Sequence, residues 1–143
     1  MTDIDLLYKR LAFTERMVSE LRKLAKPDLI HTDPKEERFA EHTLQMAIKS
    51  ILDAAAHIIA SERLAEPSDA RAMFGILAKE GWIDHELASL LDKATGFRNV
   101  IVHLYLDVNL DEVQRVLRER LGDLEAFCTQ VRARLQHKDP DTR

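Results

Sequence analysis

The residues from Gly96 to Tyr105 carry most of the side chains in this chain that could do chemistry. The segment is apolar apart from four strong hydrogen-bonding groups, on Arg98, Asn99, His103 and Tyr105. Such groups cost free energy in an apolar setting unless they face a partner. A guanidinium favours phosphate, and an imidazole titrates near neutral pH. Together they suggest chemistry on a phosphodiester.

Helical spacing would gather these four groups on one edge of the segment. At about 100° per residue, Arg98 and Tyr105 lie seven apart and point almost the same way. Asn99 and His103 lie four apart on the adjoining strip. The apolar residues left for the other faces are Phe97, Val100, Ile101 and Leu104. The segment can therefore bury one side in a core and present polar groups from the other.

The order of Arg98, four residues, His103, one residue and Tyr105 resembles the R-x4-H-x-Y signature of the HepT-like toxins, a branch of the HEPN ribonucleases. The resemblance spans roughly residues 4 to 130. Upstream positions that fit it in order and spacing are Leu44-Gln45, Ile48, Leu52-Asp53, His57 to Ala60, Phe74, Leu77, Gly81 to Ile83 and Leu90-Leu91. The resemblance implies an all-α fold, a HEPN-type antiparallel bundle of five to six helices.

The residues and the resemblance jointly imply a toxin that cleaves RNA without a metal ion or other cofactor. His103 would act as general base or acid on the attack of the 2′-hydroxyl. Arg98 would hold the scissile phosphate and stabilise its developing charge, and Asn99 would orient His103 or bond a phosphate oxygen. The expected products carry a 2′,3′-cyclic phosphate and a 5′-hydroxyl.

Two partners besides RNA follow from the resemblance. One motif supplies a single His, so HEPN ribonucleases form dimers in which two motifs face one cleft, and a homodimer with a composite site is expected here. Tyr105 matches the position at which a minimal nucleotidyltransferase antitoxin attaches AMP. That modification would block the cleft by charge and bulk.

Two other interpretations of the motif remain open. The chain could be a non-catalytic nucleotide-binding or substrate-presenting partner of a nucleotidyltransferase, which would need Arg98 but not His103. It could also be a purely structural bundle. In that case Arg98 forms a surface ion pair with Asp92 or Asp107, His103 bonds a backbone carbonyl in the core, and Tyr105 is an ordinary amphipathic side chain.

Composition sets the broad class of the protein. The 143 residues are 45% hydrophobic with four Gly and four Pro, which favours one helical domain over residues 1–135 and a polar tail over 136–143. A net charge of -4 argues against a broad nucleic-acid surface, so RNA would contact a local site. A single cysteine and the lack of a signal peptide or membrane-spanning run predict a cytoplasmic protein.

Capping residues and turn residues predict the element boundaries. We expect one helix over residues 3–25 after Asp3, and a second over 34–63 with Asp33 as cap and Glu36 in capping-box position. Further along, Ser68 would cap a short helix that ends at a left-handed Gly81, and Asp84 would cap the next. Asn109 and Glu112 form a second capping-box pattern, which would start one long final helix. Gly96 permits a break or kink just before the motif, which would put Arg98 near a helix start.

A polar line interrupts the second helix, which is otherwise apolar on nearly every side. Lys49, Asp53 and His57 recur at four-residue spacing and would lie along one edge. In the structural interpretation Asp53 bonds His57 and Lys49 reaches solvent. In the functional interpretation the line forms a wall of the cleft that holds Arg98 and His103. The remaining histidines show no metal-ligand spacing and are expected at the surface: His31, His42, His85 and His137.

Overall fold

The computed structural model describes the backbone of residues 3–103 and 109–138 and the side chains of residues 3–96 and 109–137. Within these ranges the chain forms six α-helices and no strand. The helices are α1 (Ile4–Leu24), α2 (Pro34–Ser61), α3 (Ala72–Lys79), α4 (His85–His103), α5 (Leu110–Glu119) and α6 (Leu121–Lys138), with a 3₁₀ turn at Pro27–Leu29. The predicted all-α fold is confirmed. The helix α6 continues three residues into the segment predicted as a polar tail.

Four helices begin where the sequence predicts a polar cap. Each capping side chain accepts a hydrogen bond from a backbone N–H of the first turn, which stabilises a helix by about 1 kcal/mol. The pairs are Asp3 with Leu6, Asp33 with Lys35, Asp84 with Leu87, and Asn109 with Glu112. Gly81 has the predicted left-handed backbone, with φ of 82°.

Three predicted capping contacts are replaced in the structure by contacts with other partners. The Glu36 carboxylate accepts from the backbone N–H of Lys26 at 3.1 Å, while the N–H of Asp33 bonds the carbonyl of Leu29 at 2.8 Å. Glu112 does not complete a capping box either, because its carboxylate pairs with Arg115. At the start of α3, Asp69 rather than Ser68 accepts from Ala72, at 2.9 Å.

The single final helix that the sequence predicts is two helices. The chain turns at Arg120, which has φ of -119° and ψ of 0° and separates α5 from α6. The turn lets α5 pack on the 3₁₀ segment, where Gln114 donates to the carbonyl of Pro27 at 2.8 Å. It also lets α6 run back along α1, where Arg132 pairs with Glu15 at 2.7 Å. One straight helix could not make both contacts.

Side-chain pairs fix the directions of the long helices. Arg10 lies 3.5 Å from Asp53, and Thr14 bonds Ser50, so α1 and α2 are antiparallel. The pair of Glu15 with Arg132 and that of Arg22 with Glu125 make α1 and α6 antiparallel as well. It follows that α2 and α6 run in the same direction.

The direction of α4 follows from its two ends. The backbone N–H of Asp84 bonds Gln130 of α6 at 2.8 Å, whereas Ala94 shares a cavity with Leu124, nearer the start of α6. Because residue numbers rise along α4 as they fall along α6, the two helices are antiparallel. Helix α4 is therefore antiparallel to α2 too.

The core is centred on α2, as its apolar sequence predicts. Twelve of its residues are buried: Ala40, Thr43, Leu44, Ala47, Ile48, Ser50, Ile51, Leu52, Ala54, Ala55, Ile58 and Ile59. Phe74 of α3 and Phe127 of α6 complete the core with an edge-to-face contact at 6.1 Å. The four scattered histidines, His31, His42, His85 and His137, are all exposed, as expected. None of the described helices is both long and apolar enough to cross a membrane.

Candidate functional site

The helix that carries the motif is continuous through Gly96, so the predicted break is wrong. Helix α4 runs without interruption from His85 to His103. Thr95, one residue before the glycine, is buried and bonds the carbonyl of Leu91 at 3.0 Å, an ordinary contact inside a helix. Arg98 consequently lies more than three turns past the start of the helix. The free N–H groups of a helix N-terminus are not beside it.

The first six residues of the motif, from Arg98 to His103, form the end of α4. Arg98, Asn99 and His103 are helical in backbone, which confirms the helical basis of their predicted spacing, and their side chains lie outside the described residues. Tyr105 lies outside the described residues altogether. The catalytic roles of the first three and the modification of Tyr105 therefore stay predictions.

The predicted single polar edge is wrong for Arg98 and His103, because the two backbone positions lie about 140° apart around the continuous helix α4. Leu91 is fully buried, and Ala94 lines a cavity in the bundle. Arg98 follows Ala94 by four residues and Leu91 by seven, so its backbone position is within about 40° of both on the inward face. His103 follows Ala94 by nine residues and starts from the opposite side of the helix.

A cavity of about 160 Å³ lies one turn of α4 before Arg98, between α2, α4, α5 and α6. Its floor is apolar and is formed by Ile48, Leu90, Ala94, Val116 and Leu124. Its rim is charged and is formed by Lys93, Glu112, Arg115, Arg120 and Asp123.

The carboxylates on the rim differ in their electrostatic surroundings. Glu112 pairs with Arg115, and this hydrogen bond lowers the pKa of the carboxyl group. Burial raises the pKa of Asp123, while Arg120 at 4.0 Å partly opposes that rise. Both pairs are partly exposed, so each contributes little to stability.

The surface ion pair considered for Arg98 is already made by another arginine. Arg71 binds Asp92 through two hydrogen bonds, Nε to Oδ1 at 2.7 Å and NH2 to Oδ2 at 3.1 Å. This bidentate geometry uses both oxygens of the carboxylate. Asp107, the other acid considered, lies outside the described residues.

The polar line on α2 pairs differently from the prediction. Asp53 is bound by Lys49 at 2.9 Å and lies 3.5 Å from Arg10, and it does not bond His57. The Nε2 atom of His57 is buried without a hydrogen-bond partner. Lys49 and Asp53 instead border a shallow groove between α1 and α2, together with Leu6, Arg10, Phe13 and Met46.

The helix directions count against His57 as part of the motif's cleft within one chain. Ile48 of α2 and Ala94 of α4 line the same cavity, and the two helices are antiparallel. From that level, Asp53 and His57 lie toward the start of α4, while Arg98 lies toward its end. His57 and Arg98 are thus about 20 Å apart along the bundle, at 1.5 Å per residue. The cleft-wall role of Lys49, Asp53 and His57 stays a prediction.

Glu41 of α2 is a half-buried acid that lies in none of the motifs described above. Its Oε1 atom is buried and has no hydrogen-bond partner. Burial and the neighbouring Glu37 raise the pKa of the Glu41 carboxyl group. The signal in the sequence is a spacing: Glu41 precedes the buried Ile48 by seven residues and so shares its helix face.

No group of three or more His, Cys, Asp or Glu side chains that could hold a metal ion occurs in residues 3–96 and 109–137.

Comparison with known proteins relates this chain to one family of ribonucleases. A family model described as Ribonuclease HepT-like matches residues 13–131. The mRNA nuclease HepT of Shewanella oneidensis is 36% identical over 90 residues, which cover 63% of this chain and 68% of that protein.

Two solved structures resemble the whole bundle. One is the tri-AMPylated Shewanella oneidensis HEPN toxin in complex with MNT antitoxin, 28% identical with a TM-score of 0.82, covering 93% of this chain and 99% of that one. The other is a toxin–antitoxin with AMP-PNP, 27% identical with a TM-score of 0.83, covering 90% and 98% of the two chains.

Two glycine substitutions check that α4 is continuous up to the motif. A Cβ at position 96 would meet only Arg71, with the nearest atom at 3.8 Å, so Gly96→Ala should stabilise the helix by about 0.5–1 kcal/mol. Gly81→Ala should instead lower the free energy of unfolding by about 1–2 kcal/mol, because its φ of 82° strains any side chain. Urea unfolding measures both, and a loss of stability in Gly96→Ala would contradict a continuous α4.

Proposed function

The chain belongs to the HepT-like ribonuclease family, and we propose that this endoribonuclease cleaves RNA at the Arg98–His103 motif and is neutralised by adenylylation of Tyr105. It is a HepT-type HEPN toxin by family and fold. The observation that carries the proposal is the R-x4-H-x-Y sequence, whose first six positions form the last turns of α4. The chemistry of those side chains suits a phosphodiester.

In the proposed reaction the 2′-oxygen of RNA attacks the adjacent phosphorus and the 5′-oxygen leaves. His103 takes the proton of the 2′-hydroxyl or gives one to the leaving oxygen. Arg98 binds the nonbridging phosphate oxygens and stabilises the charge that builds on them, and Asn99 orients the imidazole or bonds one of those oxygens. The products are a 2′,3′-cyclic phosphate and a 5′-hydroxyl. Neither a metal ion nor any other cofactor takes part in the proposed reaction.

A homodimer would supply the second proton-transfer group. Within one chain the motif offers a single histidine, whereas base and acid must act on opposite sides of the phosphorus. A two-fold axis beside the end of α4 would bring two copies of Arg98 and His103 to one cleft. The RNA substrate and the nucleotide that an antitoxin consumes are both found in the cytoplasm, where we place this toxin.

The antitoxin in this proposal is a minimal nucleotidyltransferase. Support comes from the related HEPN toxin, which was solved in AMPylated form with MNT antitoxin. Tyr105 lies two residues past His103. An adenylyl group there would add negative charge and bulk beside the imidazole, and both would keep RNA out of the cleft.

Cleavage of total RNA in EDTA tests the reaction. Unmodified protein should produce 2′,3′-cyclic phosphate ends, and His103→Ala and Arg98→Ala should each lose at least about 10²-fold in rate. His137→Ala and Arg16→Ala, which change an exposed histidine and an exposed arginine elsewhere, should cleave like the wild type. If unmodified wild type cleaves no RNA, the nucleotide-binding partner becomes the better interpretation.

Light scattering tests the composite site. At micromolar concentration we expect twice the 16.4 kDa mass of the chain, because two motifs are needed for base and acid. A monomer that cleaves RNA at the full rate would show that one chain suffices and would refute the composite site.

Intact-mass analysis tests the modification. After incubation with the antitoxin and ATP, the wild type should gain adenylyl groups and lose RNA cleavage. Tyr105→Phe should gain none. The only other tyrosine is Tyr8, which packs against Arg132 with the guanidinium carbon 5.4 Å from its ring centre. Tyr8→Phe is thus the matched control and should be modified like the wild type; adducts that persist in Tyr105→Phe would refute the assignment.

A further inference from the structure

A guanidinium from outside α4 lies against that helix just before the motif. Arg71, in the segment before α3, binds Asp92 of α4 with Nε 2.7 Å from Oδ1 and NH2 3.1 Å from Oδ2. A Cβ built on Gly96 would lie 3.8 Å from the central carbon of the guanidinium and 3.9 Å from its NH1 atom. The Arg71 side chain therefore covers the surface of α4 from Asp92 to Gly96.

One edge of the Arg71 guanidinium is left for another anion. The pair with Asp92 uses Nε and NH2, and NH1 makes no hydrogen bond or ion pair with any side chain that the structure describes. The other acid whose charge acts on Arg71 is Asp69, which accepts a hydrogen bond from the backbone N–H of Ala72 at 2.9 Å. Half of the Arg71 side chain is exposed. Because a guanidinium carries five donors in a planar fork, it can bind a second anion from solvent while Asp92 holds it.

The face of α4 that Arg71 covers also carries the backbone position of His103. Asp92, Gly96, Asn99 and His103 follow one another at four, three and four residues, so their backbone positions fall within about 60° around the helix. Since α4 is continuous to His103, that residue lies about 10 Å beyond Gly96 and only about 20° around the helix from it. The free NH1 atom is at Gly96, one turn closer to His103 than Asp92 is.

From this placement we propose that Arg71 binds a phosphate that flanks the scissile one, an inference that rests on the ribonuclease function proposed above. With the scissile phosphate at His103, the sugar–phosphate backbone of the strand passes along this face of α4 toward Gly96. There the NH1 edge of Arg71 donates to a nonbridging oxygen of the flanking phosphate. Asp92 holds the opposite edge and so fixes the plane of the guanidinium before RNA binds.

A second phosphate contact answers a need of the proposed reaction. The chain has a net charge of -4 and no broad cationic surface, so a strand is held by a few placed cations. Contacts to phosphates fix the position and direction of a strand without reading its sequence. A contact at Arg71 would align the strand along α4 and so present one 2′-hydroxyl to His103 in a defined geometry.

Binding of a 2′-O-methyl RNA oligonucleotide measures the contact without cleavage, because the attacking hydroxyl is blocked. Arg71→Gln should raise Kd at least about 5-fold and reduce the slope of log Kd against log salt by about 0.7, the value for one phosphate of a single strand. Arg71→Lys keeps the charge and should keep the slope. All variants should unfold at nearly the wild-type temperature, because an exposed ion pair contributes little to stability.

Arg132→Gln is the matched control for this binding experiment. Arg132 pairs with Glu15 through the same two nitrogens, Nε at 3.2 Å and NH2 at 2.7 Å. It lies two residues past Gln130, which bonds Asp84 at the start of α4, and so at the end of the bundle away from His103. The control should bind the oligonucleotide with the wild-type slope. Equal Kd and slope in Arg71→Gln and the wild type would overturn the inference, even in a protein that cleaves RNA.

Cleavage of an oligonucleotide with a single 2′-hydroxyl locates the phosphate that Arg71 binds. The one hydroxyl fixes the scissile phosphate, and an uncharged methylphosphonate then replaces each flanking phosphate in turn. At one flanking position the loss of kcat/KM should match that of Arg71→Gln, and the two changes together should cost no more than either alone. Independent losses at every position would overturn the inference. A protein that cleaves no RNA but loses affinity and salt slope in Arg71→Gln would retain the phosphate contact and reject the ribonuclease mechanism instead.

Discussion

Burial of one broad face of α2 is the constraint on which the rest of this bundle depends. Twelve of its 28 residues are buried, and α1, α3, α4 and α6 pack against it, with α5 across one end. Ala40, Ala47, Ala54 and Ala55 let those neighbours approach closely, while Leu44, Ile48 and Ile51 fill the space between them. The direction of α4, and with it the place of the motif, follows from this packing.

Polar groups on the central helix are consequently the informative ones. Lys49 and Asp53 are partly exposed and pair with each other in a groove between α2 and α1. One carboxylate oxygen of Glu41, in contrast, is buried and has no hydrogen-bond partner. A carboxylate oxygen that is buried without a hydrogen-bond partner costs stability, and such costs are common at functional sites.

The structure differs most from the sequence predictions in the partners that charged side chains bind. Asp92 binds Arg71 of the loop before α3, Asp53 binds Lys49, and Glu36 binds the backbone of Lys26. In each case the acid binds a partner other than the one that the sequence suggested for it. Long, flexible side chains can satisfy several partners at similar cost, so their pairing follows the register between elements.

The sequence by itself determined the all-α fold, the helix caps at Asp3, Asp33, Asp84 and Asn109, the buried face of α2 and the helical spacing of Arg98 and His103. These depend on interactions within a few residues along the chain, which periodicity and capping report directly. Only the tertiary structure decided that α4 continues through Gly96, that the chain turns at Arg120, and that Asp92 binds Arg71. Those outcomes depend on how helices distant in sequence pack, and no local pattern encodes that register.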